Sequence, residues 1–157
     1  MNSLFIKRTD SSNPDFVALV RHLDAELATR DGDDHAFYAQ FNKIDSLKNV
    51  VVAYWNGKAV GCGAFKPLED GVMEVKRMFV SPELRGKGIA SSVLSELEHW
   101  ASELGAHSCC LETGLRQPEA IALYQKNGYD RIPNYGQYMG VENSVCFEKH
   151  LLMSSGV

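Results

Sequence analysis

No stretch of this chain is apolar for long enough to cross a bilayer: the longest unbroken apolar run covers residues 50–55, far short of the roughly 20 a spanning helix needs. The opening MNSLFIKRTD has no basic segment leading into an apolar stretch, so no secretory signal is read there. Both absences lead us to expect a cytoplasmic protein with no membrane partner. Positive charge is scarce too. The 16 Lys and Arg against 20 Asp and Glu leave a formal charge of −4, whereas nucleic-acid-binding domains carry a basic stripe, so no nucleic acid is expected as the main partner. Paired cysteine spacing is missing: Cys62, Cys109, Cys110 and Cys146 form no CxxC pattern and are read as small buried hydrophobes, not as zinc ligands, redox groups or disulfides. The histidines, at 22, 35, 99, 107 and 150, fall at unrelated spacings, and no metal is assigned. Asp31, Asp33 and Asp34 lack the glycine at the sixth place and the glutamate at the twelfth that a calcium loop requires. They read as a solvated loop or as an acidic rim drawing in a cationic amine.

What remains is ordinary in composition: 157 residues, 45% hydrophobic and 23% charged, the size and balance of one soluble domain spanning 1–157 without repeats or linkers. Leu4 and Ile6 alternate as in a short strand. Asn13 caps a helix begun by Pro14, with Phe16, Val20, Leu23 and Leu27 on one face, ending near Arg30. A loop over 31–34 precedes a short helix carrying Phe37, Tyr38 and Phe41. β-Branched and aromatic residues over 50–55, the turn Asn56-Gly57 and a partner strand over 59–65 predict a hairpin. The turn Asp70-Gly71 leads to a central strand over 72–80, making three antiparallel strands in sequence. After Gly88, residues Ile89, Val93, Leu97, Trp100 and Leu104 lay an apolar stripe along a helix stopped by Gly105. A strand over 107–113 comes next, and strand, helix, strand in this order implies a parallel pair and a mixed sheet. A helix over 118–127, with Gln117 placed to cap it and Gly128 to end it, and a last strand over 144–151 complete the chain.

The turn RGKGIA, residues 85–90, lies between a strand and a helix, where main-chain N–H groups point outward at the positive end of the helix dipole. Glycines at 86 and 88 let a phosphate approach without a Cβ in the way, and Arg85 and Lys87 add charge. The same glycines also suit a tight turn with no ligand. Neither GxxxxGK followed by Ser or Thr nor an early GxGxxG is present, which weighs against nucleotide hydrolysis and hydride transfer.

Arg85, Gly88 and Ala90 fit Arg or Gln, two residues, Gly, one residue, Gly or Ala; with EVKRMFV from Glu74, LETG from Leu111 and AIALYQKNGY from Ala120, the chain resembles the GNAT superfamily of N-acyltransferases over about half its length. The resemblance implies an α/β (α+β) fold: one domain with a mixed, strongly twisted sheet flanked by helices. In it, the strand ending at Val80 and the strand from His107 splay apart to admit pantetheine. It implies acetyl-CoA as co-substrate, with main-chain groups of Met78, Phe79 and Val80 pairing with the pantetheine amides and Arg85, Gly86, Lys87, Gly88, Ile89 and Ala90 wrapping the pyrophosphate. Gln117 stands where the family commonly has an Asn facing the coenzyme. A homodimer is compatible with the resemblance.

Acyl transfer to an amine needs an uncharged amine, a stabilised tetrahedral oxyanion and a proton for the departing thiolate. Glu74, eleven positions before Arg85, stands at the spacing where some of these enzymes carry a general base. A carboxylate near ~4.3 cannot by itself deprotonate an amine near ~10.4, so Glu74 would act through water or by orienting the cation. Read as structure alone, it is an exposed strand carboxylate paired with Lys76 or Arg77. A main-chain N–H near Phe79 or Val80 is the candidate oxyanion donor. By its helical spacing Tyr124 is a core aromatic beside Ala120 and Ile121, but the resemblance makes it the acid that protonates the thiolate. The whole admits two readings: an N-acetyltransferase acting on a primary amine of a small molecule or peptide, or a coenzyme-A-binding regulatory module without turnover. An unrelated phosphate binder is disfavoured by the missing motifs.

Overall fold

The computed structural model describes residues 2–31 and 46–151. The helix expected around Phe37, Tyr38 and Phe41, and Asp33 and Asp34 of the acidic loop, lie outside them. Strands β1 (Leu4–Thr9), β2 (Asn49–Trp55), β3 (Lys58–Glu69), β4 (Val72–Val80), β5 (Ser108–Gly114), β6 (Asp130–Ile132) and β7 (Ser144–His150) form one sheet in the order β1-β2-β3-β4-β5-β7-β6. Helix α1 is Pro14–Asp31, α2 is Ile89–Glu103 and α3 is Pro118–Lys126. Asn13 caps α1 through its side chain, accepting from the Asp15 N–H at 2.8 Å. The hairpin between β2 and β3 turns on Asn56 and Gly57, both at positive φ (52° and 85°), the conformation that matches the twist of the flanking strands.

Alternation along β2 splits the core in two. Val51 and Ala53 join Val93, Leu94 and Leu97 of α2 on one face, and Val50 and Val52 join Phe16, Val20 and Leu23 of α1 on the other. On the α2 side β3 must stay bare: a Cβ at Gly63 would lie 2.8 Å from Leu97 Cδ1 and 3.0 Å from Val93 Cγ1. Glycine there lets the helix sit directly on the sheet.

Two irregularities of β4 open the cleft. The first is a bulge. Cys62 pairs with Phe79 and Ala64 with Lys76, so Gly63 alone faces both Arg77 and Met78, and Arg77 takes a left-handed φ of 62°. Val75 and Phe79, four residues apart, would share a face in an unbroken strand; here they enter opposite cores. The second is the splay. β4 and β5 pair in parallel only over Val72–Glu74 and Ser108–Cys110, although both strands continue, and past that point they part. The mixed sheet with splayed strands therefore matches the expectation.

Candidate functional site

Two cavities open where β4 and β5 diverge. The larger, about 440 Å³, runs from the C-terminal end of β4 (Met78, Phe79, Val80) past Arg85, Gly86, Gly88, Ile89 and Ala90 to one face of α3. The smaller, about 100 Å³, is lined by Glu74, Lys76 and Arg77 of β4, Glu112 and Gly114 of β5, and Tyr138. Both are bounded by Leu23, Met78, Gln117, Ala120 and Tyr124, so these residues stand where the two meet.

The glycine turn has the geometry of an anion cradle. Gly86 and Gly88 adopt φ of 82° and 81°, which L side chains rarely take, and a Cβ built on either meets nothing within 4 Å. Gly88 is the N-cap of α2, and among the described residues no side chain caps the first-turn amides, so those N–H groups are open to a ligand. This geometry is compatible with the pyrophosphate expected over residues 85–90. The two cations of the motif do not act alike. Arg85 folds back: its Nε donates to the Val80 carbonyl at 2.9 Å, its Nη2 to Glu26 at 2.7 Å, and its guanidinium lies 5.6 Å from the Phe79 ring centroid. It braces the end of β4 through one of the main-chain groups, the Val80 carbonyl, that lie where pantetheine was expected. Lys87 is exposed and stands outside the lining of the cavity. At the far wall Asn127 Nδ2 bridges Ser91 Oγ (3.1 Å) and the Leu123 carbonyl (2.8 Å), tying α3 to the start of α2.

Helix α3 delivers Tyr124. Pro118 starts it; Gln117 holds the N-cap position, but only its carbonyl serves, accepting from Ala120 and Ile121 at 3.1 Å, and its side chain makes no cap. The expected side-chain cap is thus corrected: the glutamine amide turns instead toward the cavities, its Nε2 within 3.5 Å of where a Cβ on Gly114 would stand. Tyr124 is 6% exposed and its ring meets Tyr129 edge-on at 5.8 Å and Phe147 at 6.3 Å. Burial, and secondarily the charge of Glu112, pushes its phenol pKa well above the ordinary value, so the hydroxyl keeps its proton.

Glu74 is not an exposed strand carboxylate: it is 3% exposed. Its Oε2 accepts from the Tyr135 hydroxyl at 2.6 Å and its Oε1 lies 3.6 Å from Lys76 Nζ. Lys76, largely buried, has its pKa lowered by desolvation, against the opposing pull of Glu74. Arg77 does not pair with Glu74 at all; its Nη1 binds Asp24 of α1 at 2.8 Å. Sequence reasoning missed Glu112, a second carboxylate on the small cavity, which accepts from Ser144 Oγ at 2.7 Å. The signal was within reach, since Glu112 is the Glu of LETG and lies two residues beyond Cys110, the register partner of Glu74. Tyr135 carried no such signal, because it arrives from a loop far along the chain, just ahead of a 3₁₀ turn at Gly136–Tyr138.

The profile of the Acetyltransferase (GNAT) family matches residues 16–129. The chain is 36% identical over 160 residues to the IAA acetyltransferase of Azospirillum brasilense, an alignment covering 96% of this chain and 100% of that protein. It is 32% identical over 135 residues to the uncharacterized N-acetyltransferase YjgM of Escherichia coli K12, covering 79% and 80% of the two chains. Among solved structures, a protein of Klebsiella pneumoniae assigned as an acyl-CoA N-acyltransferase superposes with a TM-score of 0.76 at 32% identity, over 95% of this chain and 98% of that one. The PaiA N-acetyltransferase of Thermoplasma acidophilum, solved with coenzyme A, shares the fold at a TM-score of 0.70 and 17% identity, over 94% and 99%.

Proposed function

The chain belongs to the GNAT family of acetyl-CoA-dependent acetyltransferases, and from that premise we propose that it acetylates a primary amine of a small molecule or peptide by direct attack on the thioester. The observation that carries this reading is the meeting of the two cavities at Met78, Gln117, Ala120 and Tyr124. The glycine-turn side fits an acyl-CoA, with its pyrophosphate on residues 85–90 and its pantetheine arm along Met78 and Phe79. The carboxylate-lined side fits an amine.

In this arrangement Glu74 and Glu112 attract and orient the acceptor ammonium, and Glu74 passes its proton to solvent through water. Tyr135 and Lys76 fix the Glu74 carboxylate in place. The main-chain N–H near Phe79 or Val80 faces the developing oxyanion. Tyr124 gives its proton to the leaving sulfur. Burial makes that phenol a weaker acid than in water, which alone would steepen the transfer by about 1.4 kcal/mol per pKa unit. The same desolvation raises the basicity of a thiolate expelled beside it, a shift that acts in the opposite direction.

The experiment is turnover of acetyl-CoA against a panel of amines, amino acids, polyamines and peptides, read by free thiol and by product mass. Acetyl-CoA that binds but yields no acetylated amine in any arm would refute the reading and favour a coenzyme-binding module.

A further inference from the structure

The acceptor side of the site holds a cation whose binding capacity is not used. Arg77 is 2% exposed in its side chain, yet among the described residues only Nη1 of its guanidinium has a partner, Asp24 at 2.8 Å. Nε and Nη2 are buried with no hydrogen-bond partner among the described residues. These two nitrogens form one edge of the planar fork, the edge that takes a carboxylate through two parallel bonds. Leaving a buried charged donor unmet is destabilising, and the left-handed φ of 62° at the same residue adds a backbone cost. Both costs fall on one residue, and that residue lines the small cavity together with Glu112 and Glu74.

The charges around that cavity are therefore of both signs. Glu74 and Glu112 suit an ammonium, while the unmet edge of Arg77 asks for an anion that no described residue supplies. We propose that the acceptor is a free amino acid, its amine directed to Glu74 and Tyr124 and its carboxylate held by Arg77 Nε and Nη2. At about 100 Å³ the cavity is the smaller of the two and takes the head of the acceptor, its amine and carboxylate close together on a short carbon bridge. The side chain of the acceptor then extends toward the mouth. This assignment rests on the acyl-transfer reading above and narrows its acceptor class.

The test compares wild-type protein on matched pairs: alanine with ethylamine, phenylalanine with phenethylamine, and each amino acid with its methyl ester, which keeps the amine and neutralises the carboxylate. The free acid should be preferred in kcat/KM by roughly 10- to 100-fold, the range expected of hydrogen bonds to a charged group. Arg77→Gln should bring that ratio toward one, and Arg77→Lys, which keeps the charge but loses the fork, should give an intermediate ratio. Equal turnover of acid, ester and amine by the wild type, or a ratio unchanged in Arg77→Gln, overturns the assignment while leaving acyl transfer standing. No transfer to any amine overturns acyl transfer and this assignment with it. The wild-type comparison decides the matter even where Arg77→Gln does not fold.

Discussion

Tyr124→Phe removes one oxygen and leaves the ring. The ring contacts, 5.8 Å to Tyr129 and 6.3 Å to Phe147, are made by carbon and persist in the variant. Packing should therefore hold, with stability changed by no more than about 1 kcal/mol, or about 2–4 °C in Tm for a chain of this size. Coenzyme affinity should change little, since the larger cavity is lined mostly by β4, the glycine turn and the rest of α3. Loss of a positioned proton donor should instead lower kcat by roughly 10²-fold, about 2.7 kcal/mol of transition-state stabilisation. The buried phenol also keeps its proton well above its usual range, so this group should cause no alkaline fall in wild-type kcat up to about pH 10. The assay is thiol release at saturating acceptor, with calorimetric coenzyme affinity and thermal melting on the same preparation. A normal kcat with a lowered Tm would make Tyr124 a core aromatic and remove it from the mechanism.

Gly88→Asp should weaken acetyl-CoA binding about tenfold beyond Gly88→Ala, because both carry the strain of φ 81° but only Asp sets a carboxylate where the phosphate belongs; calorimetry at two salt concentrations compares them, and equal affinities would move the site elsewhere. Glu74→Gln should lower kcat/KM for the amine by roughly 10²-fold with coenzyme affinity retained, since Glu74 borders only the smaller cavity; steady-state kinetics with unchanged kcat/KM would leave Glu74 a structural partner of Tyr135. Burial raises the thiols of Cys62 and Cys109 from 9.0 to about 12, so the folded state keeps protons that the unfolded state releases. Stability should then be full below pH 9 and decline as pH rises from 9 toward 12, measured by denaturant melts with thiol labelling, and a rise in stability over that interval would contradict the burial.

Where local chemistry and tertiary structure agree, the sequence can be read. Asn13 and Pro14 announce α1, and Asn56-Gly57 announces the β2–β3 turn because each needs only its own backbone geometry to be satisfied. The stripe from Ile89 to Trp100 announces α2 by period alone. Nothing local announces strand β6: its three residues are too short for alternation to register, and it exists because β7 offers an edge. The paths of Arg85 and Arg77 are illegible for another reason. Its place in the turn makes Arg85 look like a phosphate ligand, yet Glu26, 59 positions away, and the Val80 carbonyl hold it. Nearness in sequence makes Arg77 look like a partner of Glu74, but the bulge redirects it to Asp24, 53 positions away. No residue type at position 77 signals a left-handed φ, since Arg is rarely found there.

The bulge also explains why one strand can serve both cavities. An unbroken β4 would alternate from Glu74 through Lys76 to Met78 on a single face, sending Arg77 and Phe79 to the other. With one extra residue, Lys76 and Arg77 both border the small cavity, and Phe79 is carried into the α1-side core at the start of the larger one. The bend this introduces is of the kind that terminates pairing, and the ladder to β5 indeed ends at Glu74, three residues before Arg77. Beyond Glu74 the β5 side of β4 is thereby left without a strand partner among the described residues. Cleft, unpaired strand edge and buried cation thus arise from one local departure in register, and Gly63, whose missing side chain leaves room for Met78 opposite the bulge, is the residue on β3 that permits it.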